Sequence, residues 1–403
     1  MSVDTSIWYE NLPDKWISKK LKYIVDLRNE KIVGGEIQNY IGLENIESKT
    51  GKFLPSINSE INIEGISNQF YKGDILFGKL RPYLAKCIEA EFDGVGTTEL
   101  LALKGNTKLI LSKYLKFMML SPKFIDYINS STYGTKMPRA SWDFIGNIEV
   151  PLPSINHQQR IIDFITSKVS SVDKLLLQKK HLINLLEQQR QSIITEAVTK
   201  GLNPNVKMKD SGVEWIGEIP EHWETKALKY CFKVGNGKEI DVELDIENES
   251  GINVYGSGGI FKKTNKVLFE GESVLFGRKG TIGKPLYVND VFWTVDTMYY
   301  TEFYKKSYPK WFYYLLLVYP WDLIITQTAL PSVVGSDVAN TICAIPSFGE
   351  QVEIAEYLSL KDEKHFKLVE NINNQIQKLK EYRQALIYEA VTGKIDVREM
   401  EID

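Results

Sequence analysis

Cysteine and histidine are scarce, with 3 Cys and 4 His in 403 residues. Cys87, Cys231 and Cys343 lie far apart, no CxxC occurs, and no Cys/His group has metal-ligand spacing. That excludes a disulfide framework and a zinc module, and leaves buried, reduced thiols in a cytoplasmic protein as the expectation. The N-terminal residues lack the basic-then-apolar run of a signal peptide. The longest apolar stretch, residues 311–321, contains Pro320 and is too short to span a bilayer, so no membrane partner is expected. An excess of positive charge is also missing. The formal net charge is -3, so any nucleic-acid face must arise from local clusters of Lys and Arg.

Catalytic motifs are missing too. GRKGTIGKP resembles a phosphate loop, but Gly277 and Gly283 stand one residue too far apart and Pro285 occupies the Ser/Thr position. GSGG at residues 256–259 lacks the third glycine of a dinucleotide site. There is no Asn/Asp-Pro-Pro-aromatic tetrapeptide of amino-methyltransferases, no HExxH, no GxSxG and no kinase set. Asp241, Glu243 and Asp245 sit in a polar loop and read as solvated charge. The expectation is a chain without a catalytic centre, a metal site or a cofactor of its own.

What is present is a repeat. Composition is that of a globular protein, 43% hydrophobic and 25% charged, with aromatics at 11%. LPDKWISKKLKYI and IPEHWETKALKYC align with an offset of 207 residues (Trp16 to Trp223). GDILFGK and GESVLFGR align at 199 (Phe77 to Phe276). From Pro138 and Pro331 onward the offset stays at 193, through Pro153/Pro346 and Gln158/Gln351 to TEAVTKG and YEAVTGK. The halves therefore differ in length in their first parts and agree residue for residue in their last parts. A variable module is joined to an element of fixed length.

The fixed element reads as helix. After PLPS and AIPS each half runs on for dozens of residues without Pro. One heptad frame collects Ile162, Ile165, Val169, Val172, Leu176, Lys179, Ile183, Leu186, Arg190, Ile193 and Ala197, of which nine are apolar. Moved by 193 it collects Ala355, Leu358, Asp362, His365, Val369, Ile372, Ile376, Leu379, Arg383, Leu386 and Ala390, of which eight are apolar. Such a seam predicts two helices of about 55 Å that bury each other as an antiparallel coiled coil. Ser347 and Glu350 fit a capping box; Ser154 matches, but His157 takes the reciprocal place. Arg190 and Arg383 share one seam position. They read either as ion-paired or snorkelling residues, or as partner-docking residues.

Residues 16–150 and 223–343 show short apolar runs punctuated by Gly, as in YIGLENI, DILFGKL and SVLFGRK, and predict strands with tight turns. Each module then has one predicted helical stretch, residues 112–131 and 309–324. Basic residues gather in a strand-turn, with Lys79, Arg81 and Lys86 in one half and Arg278, Lys279 and Lys284 in the other. A second turn carries Lys136 and Arg139; its counterpart is uncharged and offers Gln327, Thr328 and Ser332. Gly beside Arg or Lys lets backbone amides and cations approach phosphates together, and such loops reach base edges in a major groove. A single basic turn is usually just solvated. Recurrence of the first turn in two diverged copies favours DNA binding.

PLPSINHQQRIIDFI, the stretch from Glu187 to Trp223, and YRQALIYEAVTGKIDV resemble conserved regions of type I restriction–modification specificity subunits. GDILFGKLRPYLAK and GESVLFGRKGTIGK resemble a strand-turn of their target recognition domains. The resemblance covers nearly the whole chain. It implies an α+β architecture with an internal pseudo-twofold repeat, in which two mixed α/β target recognition domains are separated by two long helices paired as an antiparallel coiled coil. The expected boundaries are 1–153 for the first recognition domain, 154–200 for the central helix and 201–222 for a linker. The second recognition domain is expected at 223–346, and the last helix and tail at 347–403.

The implied partners are double-stranded DNA, two DNA adenine methyltransferase subunits and a restriction/translocase subunit. S-adenosylmethionine, ATP and magnesium belong to those partners. Each domain would read half of a split, asymmetric site, with the helices setting the spacer. A helix pair of about 55 Å suits modules about one DNA turn, roughly 34 Å, apart. The uncharged second loop implies that the two domains contact different bases. A coiled-coil adaptor with protein-binding modules is the alternative, and would show no salt-sensitive DNA binding. A fragment of a fused restriction–methylation enzyme is disfavoured by the missing methyltransferase tetrapeptide and the two whole repeats.

Overall fold

A computed structural model describes residues 8–37, 39–55, 61–326, 331–398 and 400. The chain divides into two compact units, one of Met1–Lys179 with Asn373–Asp403, the other of Lys180–Ile372. Two long helices, Ile155–Lys200 and Phe348–Val391, contribute part of their length to each unit. They hold 46 and 44 residues, roughly 69 and 66 Å at about 1.5 Å per residue. That exceeds the expected length because each helix runs past its seam at the N-terminal end.

None of the seam positions named above is exposed. Within the first unit, Arg160 meets the Arg398 carbonyl and Asp173 meets Arg383 at 3.2 Å, so the helices run antiparallel. Within the second, Glu187 meets His365 at 3.2 Å and Arg190 meets Asp362 at 2.7 Å, again in opposed order.

The repeated residues outside the seam fix where each helix begins and ends. Gln158 and Gln351 are buried one turn into their helices, at 0% and 1% exposure. Gln158 accepts the Leu111 amide at 2.8 Å and donates to the carbonyls of Leu109 and Pro153 at 2.8 and 2.9 Å. Gln351 accepts the Tyr308 amide at 2.8 Å and donates to Lys306 and Pro346 at 3.4 and 3.0 Å. A primary amide is the side chain that serves one N–H and two C=O groups at once, which explains its presence in both halves.

The capping box forms: the Glu350 amide donates to Ser347 Oγ at 3.3 Å, and the Ser347 amide to Glu350 Oε2 at 3.2 Å. At the matching place the Trp16 indole donates to His157 Nδ1 at 3.2 Å, as the Trp223 indole does to Glu350 Oε1 at 3.2 Å. Each helix stops at a left-handed glycine, Gly201 (φ 76°) or Gly393 (φ 75°). A β-carbon at Gly201 would lie 3.2 Å from the Trp223 ring, and one at Gly393 2.4 Å from Pro13 and 3.3 Å from the Trp16 ring. The repeated tryptophan thus ties the start of one helix to the end of the other in each unit.

Each module is closed by a matching two-stranded ladder, Ile17–Lys20 on Glu149–Leu152 and Glu224–Ala227 on Ile342–Ile345. In the first module the sheet order is Val25–Leu27, Leu100–Gly105, Ile75–Gly78, Cys87–Glu89. The second repeats it as Phe232–Asn236, Met298–Phe303, Phe269–Gly277, Leu286–Thr294 and extends it by the hairpin Ile252–Gly256, Gly259–Thr264. The first instead carries a separate sheet of Lys31–Ile37, Ile61–Phe70, Gly94–Thr97 and Tyr40–Ile41. The first fall in the offset, from 207 to 199, lies in these strands; most of the second, to 193, lies in the helical stretch that follows them.

The stretch expected as one helix at 112–131 is two, Ser112–Met119 and Pro122–Ser130, because Pro122 lacks an amide hydrogen and starts a new helix. The other stretch is helical only over Pro309–Leu317 before Pro320 leads into a 3-10 turn. All three cysteines are free and buried, and burial pushes the Cys87 thiol up to about 12. No helix of the described residues is long and apolar enough to cross a membrane.

Candidate nucleic-acid interface

In the first unit the buried strand Ile75–Gly78 delivers the basic turn to the surface. The Lys79 amide donates to the Glu99 carbonyl at 2.9 Å, and its own carbonyl accepts the Ala140 amide at 3.0 Å. The Arg81 amide donates to the Pro138 carbonyl at 2.7 Å. The second turn folds as a tight hairpin in which Tyr133 and Arg139 exchange backbone hydrogen bonds of 3.1 and 3.0 Å. A β-bridge between Leu80 and Arg139 joins hairpin and basic turn.

The second unit repeats the main part of this pattern. The Arg278 amide donates to the Thr297 carbonyl at 2.8 Å, and the Arg278 carbonyl accepts the Val333 amide at 2.9 Å. Lys279 bridges Ser332, and Ser332 bridges Thr326. Offsets of 199 on the turn, 198 at its strand partner (Glu99 to Thr297) and 193 on the hairpin carry one set of partners onto the other. Sequence reasoning treated the two turns separately; the fold stitches them into one face in each unit.

The backbone here is strained. Arg81 (φ 50°) and Ala85 (φ 47°) are left-handed without being glycine, at roughly 1–2 kcal/mol each. In the second turn Gly280 (φ 80°) and Gly283 (φ 78°) take up the tight bends, and a β-carbon at Gly277 would stand 2.3 Å from the Thr281 carbonyl. Only glycine fits there.

The predicted side chains divide into two groups. Arg81 and Lys136 are exposed, with Arg81 Nη2 near the Lys136 carbonyl at 3.4 Å; Lys79 is half-buried. Arg278, Lys279 and Lys284 are exposed, and the Arg278 guanidinium lies 5.9 Å from the Tyr299 ring centre. Lys86 and Arg139 are taken up internally. Lys86 Nζ donates to the Leu43 carbonyl, and Arg139 grips Glu99 through Nε at 3.1 Å and Nη2 at 2.9 Å. Glu99 thereby holds the guanidinium pKa above its ordinary value and pins the hairpin to the strand edge.

Ser332 and Thr326 occupy the corresponding place with a hydroxyl pair at 2.9 Å. Gln327 and Thr328 lie outside the described residues. Tyr83, Tyr133 and Met137, 46%, 62% and 52% exposed, stand in the same turn and hairpin and were missed from sequence. The signal was there, since Tyr beside Gly in a loop presents a flat face.

Arg190 and Arg383, read from sequence as ion-paired or as partner-docking, both form ion pairs within the helix pair. Arg190 is bidentate to Asp362 at 2.7 and 3.1 Å, with side-chain exposures of 12% and 11%. Burial works against its charge, but Asp362 and Glu187 outweigh it and raise the pKa. Arg383, 6% exposed, pairs with Asp173 and donates to the carbonyls of Lys49 and Thr50 at 3.3 and 3.4 Å. A seam position faces the partner helix, so a charge there needs an internal counter-charge. The acidic loop is also accounted for, with Asp241 paired to Lys266 and Glu243 to Lys262. Among the described residues no group of His, Cys, Asp and Glu is arranged to hold a metal.

Residues 220–378 match the type I restriction modification DNA specificity domain. The chain is 23% identical to the type I restriction enzyme MjaVIII specificity subunit of Methanocaldococcus jannaschii, over 96% of this chain and 95% of that one. It is 25% identical to the MjaIX specificity subunit of the same organism over the same shares. The fold resembles a chain from a structure of a type I R-M system solved for its assembly and conformational transition. That likeness has a TM-score of 0.74 at 17% identity and covers 96% of this chain and 100% of that one. With two modules of one plan, paired long helices and these relatives, the chain is similar to the specificity subunits of type I restriction–modification systems.

Proposed function

We propose that the chain reads a bipartite, asymmetric site in double-stranded DNA, one half per module, across a spacer of fixed length. The observation that carries this is the pair of matched faces. Each is a cationic strand-turn bonded to a hairpin, with Arg81, Lys136 and Tyr133 on one and Arg278, Lys279 and Lys284 on the other. Cations and backbone amides position such a face on phosphates, and side chains at the hairpin tip reach base edges. The tips differ in charge, which supports an asymmetric site. The constant offset of 193 along both helices supports their role as the spacer ruler.

In this reading the chain is non-catalytic and works in the cytoplasm. It docks two DNA adenine methyltransferase subunits and a restriction/translocase subunit, which bring S-adenosylmethionine, ATP and magnesium. Exposed leucines outside the seam suit docking better than the buried arginines. They include Leu175 and Leu177 (44% and 66%) in the first unit, and Leu360 and Leu368 (61% and 45%) in the second. The test is the methylation pattern of a host carrying the full system. A two-part motif with one fixed gap is expected; a continuous motif defeats the reading.

A further inference from the structure

Each seam arginine is followed by a glutamine, Arg190-Gln191 and Arg383-Gln384, at the repeat offset of 193. Both glutamines face outward from the seam and reach a carbonyl of the module in their own unit. Gln384 donates to the Lys49 carbonyl at 3.0 Å, beside the Arg383 bonds to Lys49 and Thr50. Gln191 donates to the Leu317 carbonyl at 3.3 Å. These acceptors need partners. Lys49 (φ 66°) and Gly51 (φ 65°) turn the first pair of carbonyls away from any ladder. Leu317 is the last residue of its helix, where carbonyls have no intrahelical donor.

The contacts continue to the DNA-facing turns. In the first unit the Lys49 amide donates to the Ala85 carbonyl at 3.1 Å, Ala85 closes the turn begun by Arg81, and Lys52 pairs with Asp173 at 2.8 Å. In the second, the Trp321 indole donates to the Leu316 carbonyl at 3.0 Å, and its ring lies 3.2 Å from where a β-carbon on Gly283 would stand. Two different modules thus use the same glutamine, joined in the first unit by Arg383, to connect the helix pair to the basic turn through one intervening segment.

The geometry points to Gln384 with Arg383, and Gln191, as positioning residues that hold each DNA-reading turn in register with the helices, so that spacer length is sensed sharply. This rests on the bipartite reading above. None of these residues faces DNA in this scheme. Removing the tie leaves base contacts in place and lets the turn shift on its helix, which blurs the measured distance.

The test uses the whole complex of this chain with its methyltransferase subunits. The probes are duplexes carrying the site read from the wild-type methylation pattern, with the native spacer or one base pair more or fewer. Variants are Gln384→Ala, Gln191→Ala and Arg383→Lys, which keeps a cation for Asp173 but lacks the second branch that spans two carbonyls. Native-spacer binding by Gln384→Ala should weaken by up to about tenfold, the equivalent of its one neutral hydrogen bond to the Lys49 carbonyl. Binding to the altered spacers should change far less, so the selectivity ratio collapses while base preference within each half-site is kept. Gln191→Ala should do the same more mildly, since its bond is the longer of the two, 3.3 Å against 3.0 Å. Arg383→Lys should fall between wild type and Gln384→Ala. Equal loss on all three duplexes, as from misfolding, overturns the inference, and so does undiminished spacer selectivity. A wild-type complex indifferent to spacer length overturns the bipartite reading instead.

Discussion

Replacing Asp362 by Ala leaves the Arg190 guanidinium in the helix seam with only Glu187, which is 56% exposed, as a counter-charge. Two bonds of 2.7 and 3.1 Å are lost from a pair that is nearly nine-tenths buried. Breaking a buried pair from one side typically costs about 3–5 kcal/mol. Glu187 keeps a bond of 3.2 Å to the guanidinium, so the cost should lie near the lower end, about 3 kcal/mol. The readout is hydrogen exchange of peptides spanning residues 183–197 and 355–369, where that loss speeds local opening by roughly a hundredfold. Converting both residues to Leu restores an apolar seam and should return exchange to within about 1 kcal/mol of the parent or below its rate. Exchange in Asp362→Ala within threefold of the parent refutes the argument. A double Leu variant as damaged as the single one does the same, because the seam would then not be what holds the segment.

Gln158→Leu orphans one buried amide and two carbonyls and should destabilise the first unit by roughly 3–5 kcal/mol, seen as an earlier urea transition of its tryptophan signal. His157 has its pKa lowered, by burial first and then by the nearby arginines, and its Nδ1 accepts the Trp16 indole. The folded state therefore binds this proton less readily than the unfolded one. Stability is full above the ordinary value of 6.5 and declines as pH falls through that value toward the folded pKa. Melts at about pH 7.5 and pH 5.5 should show the loss, and His157→Gln should flatten it. Arg81→Ala, Lys136→Ala and Arg278→Ala should each weaken DNA binding and reduce the slope of log affinity against log salt by about one. Lys86→Ala should leave that slope unchanged, since its ammonium is held by the Leu43 carbonyl.

Much of this was legible because periodicity and repetition are local signals. The heptad frame over 162–197 and 355–390 named residues that are all withdrawn from solvent. The Ser347/Glu350 box formed as read, and the glycine-flanked basic turns landed on the surface in both modules. The helix at 112–131 was misread as continuous although Pro122 marked the break. The roles of Gln158, Gln351, Trp16 and Trp223 escaped notice because a repeat shows that a residue matters and not what it touches.

By itself, then, the amino-acid order determined the repeat, the paired rods and the places where cations gather, since each depends on residues within a few turns or strands of one another. Which cations point outward was decided only on folding. Lys86 and Arg139 are as basic as Arg81 and Lys136, yet Leu43 and Glu99, some forty residues away in the chain, claim the first two. The same holds for Arg190 and Arg383, whose counter-charges lie 172 and 210 residues off. A charge placed where water is excluded must find a partner, and only the three-dimensional packing settles which residue that is.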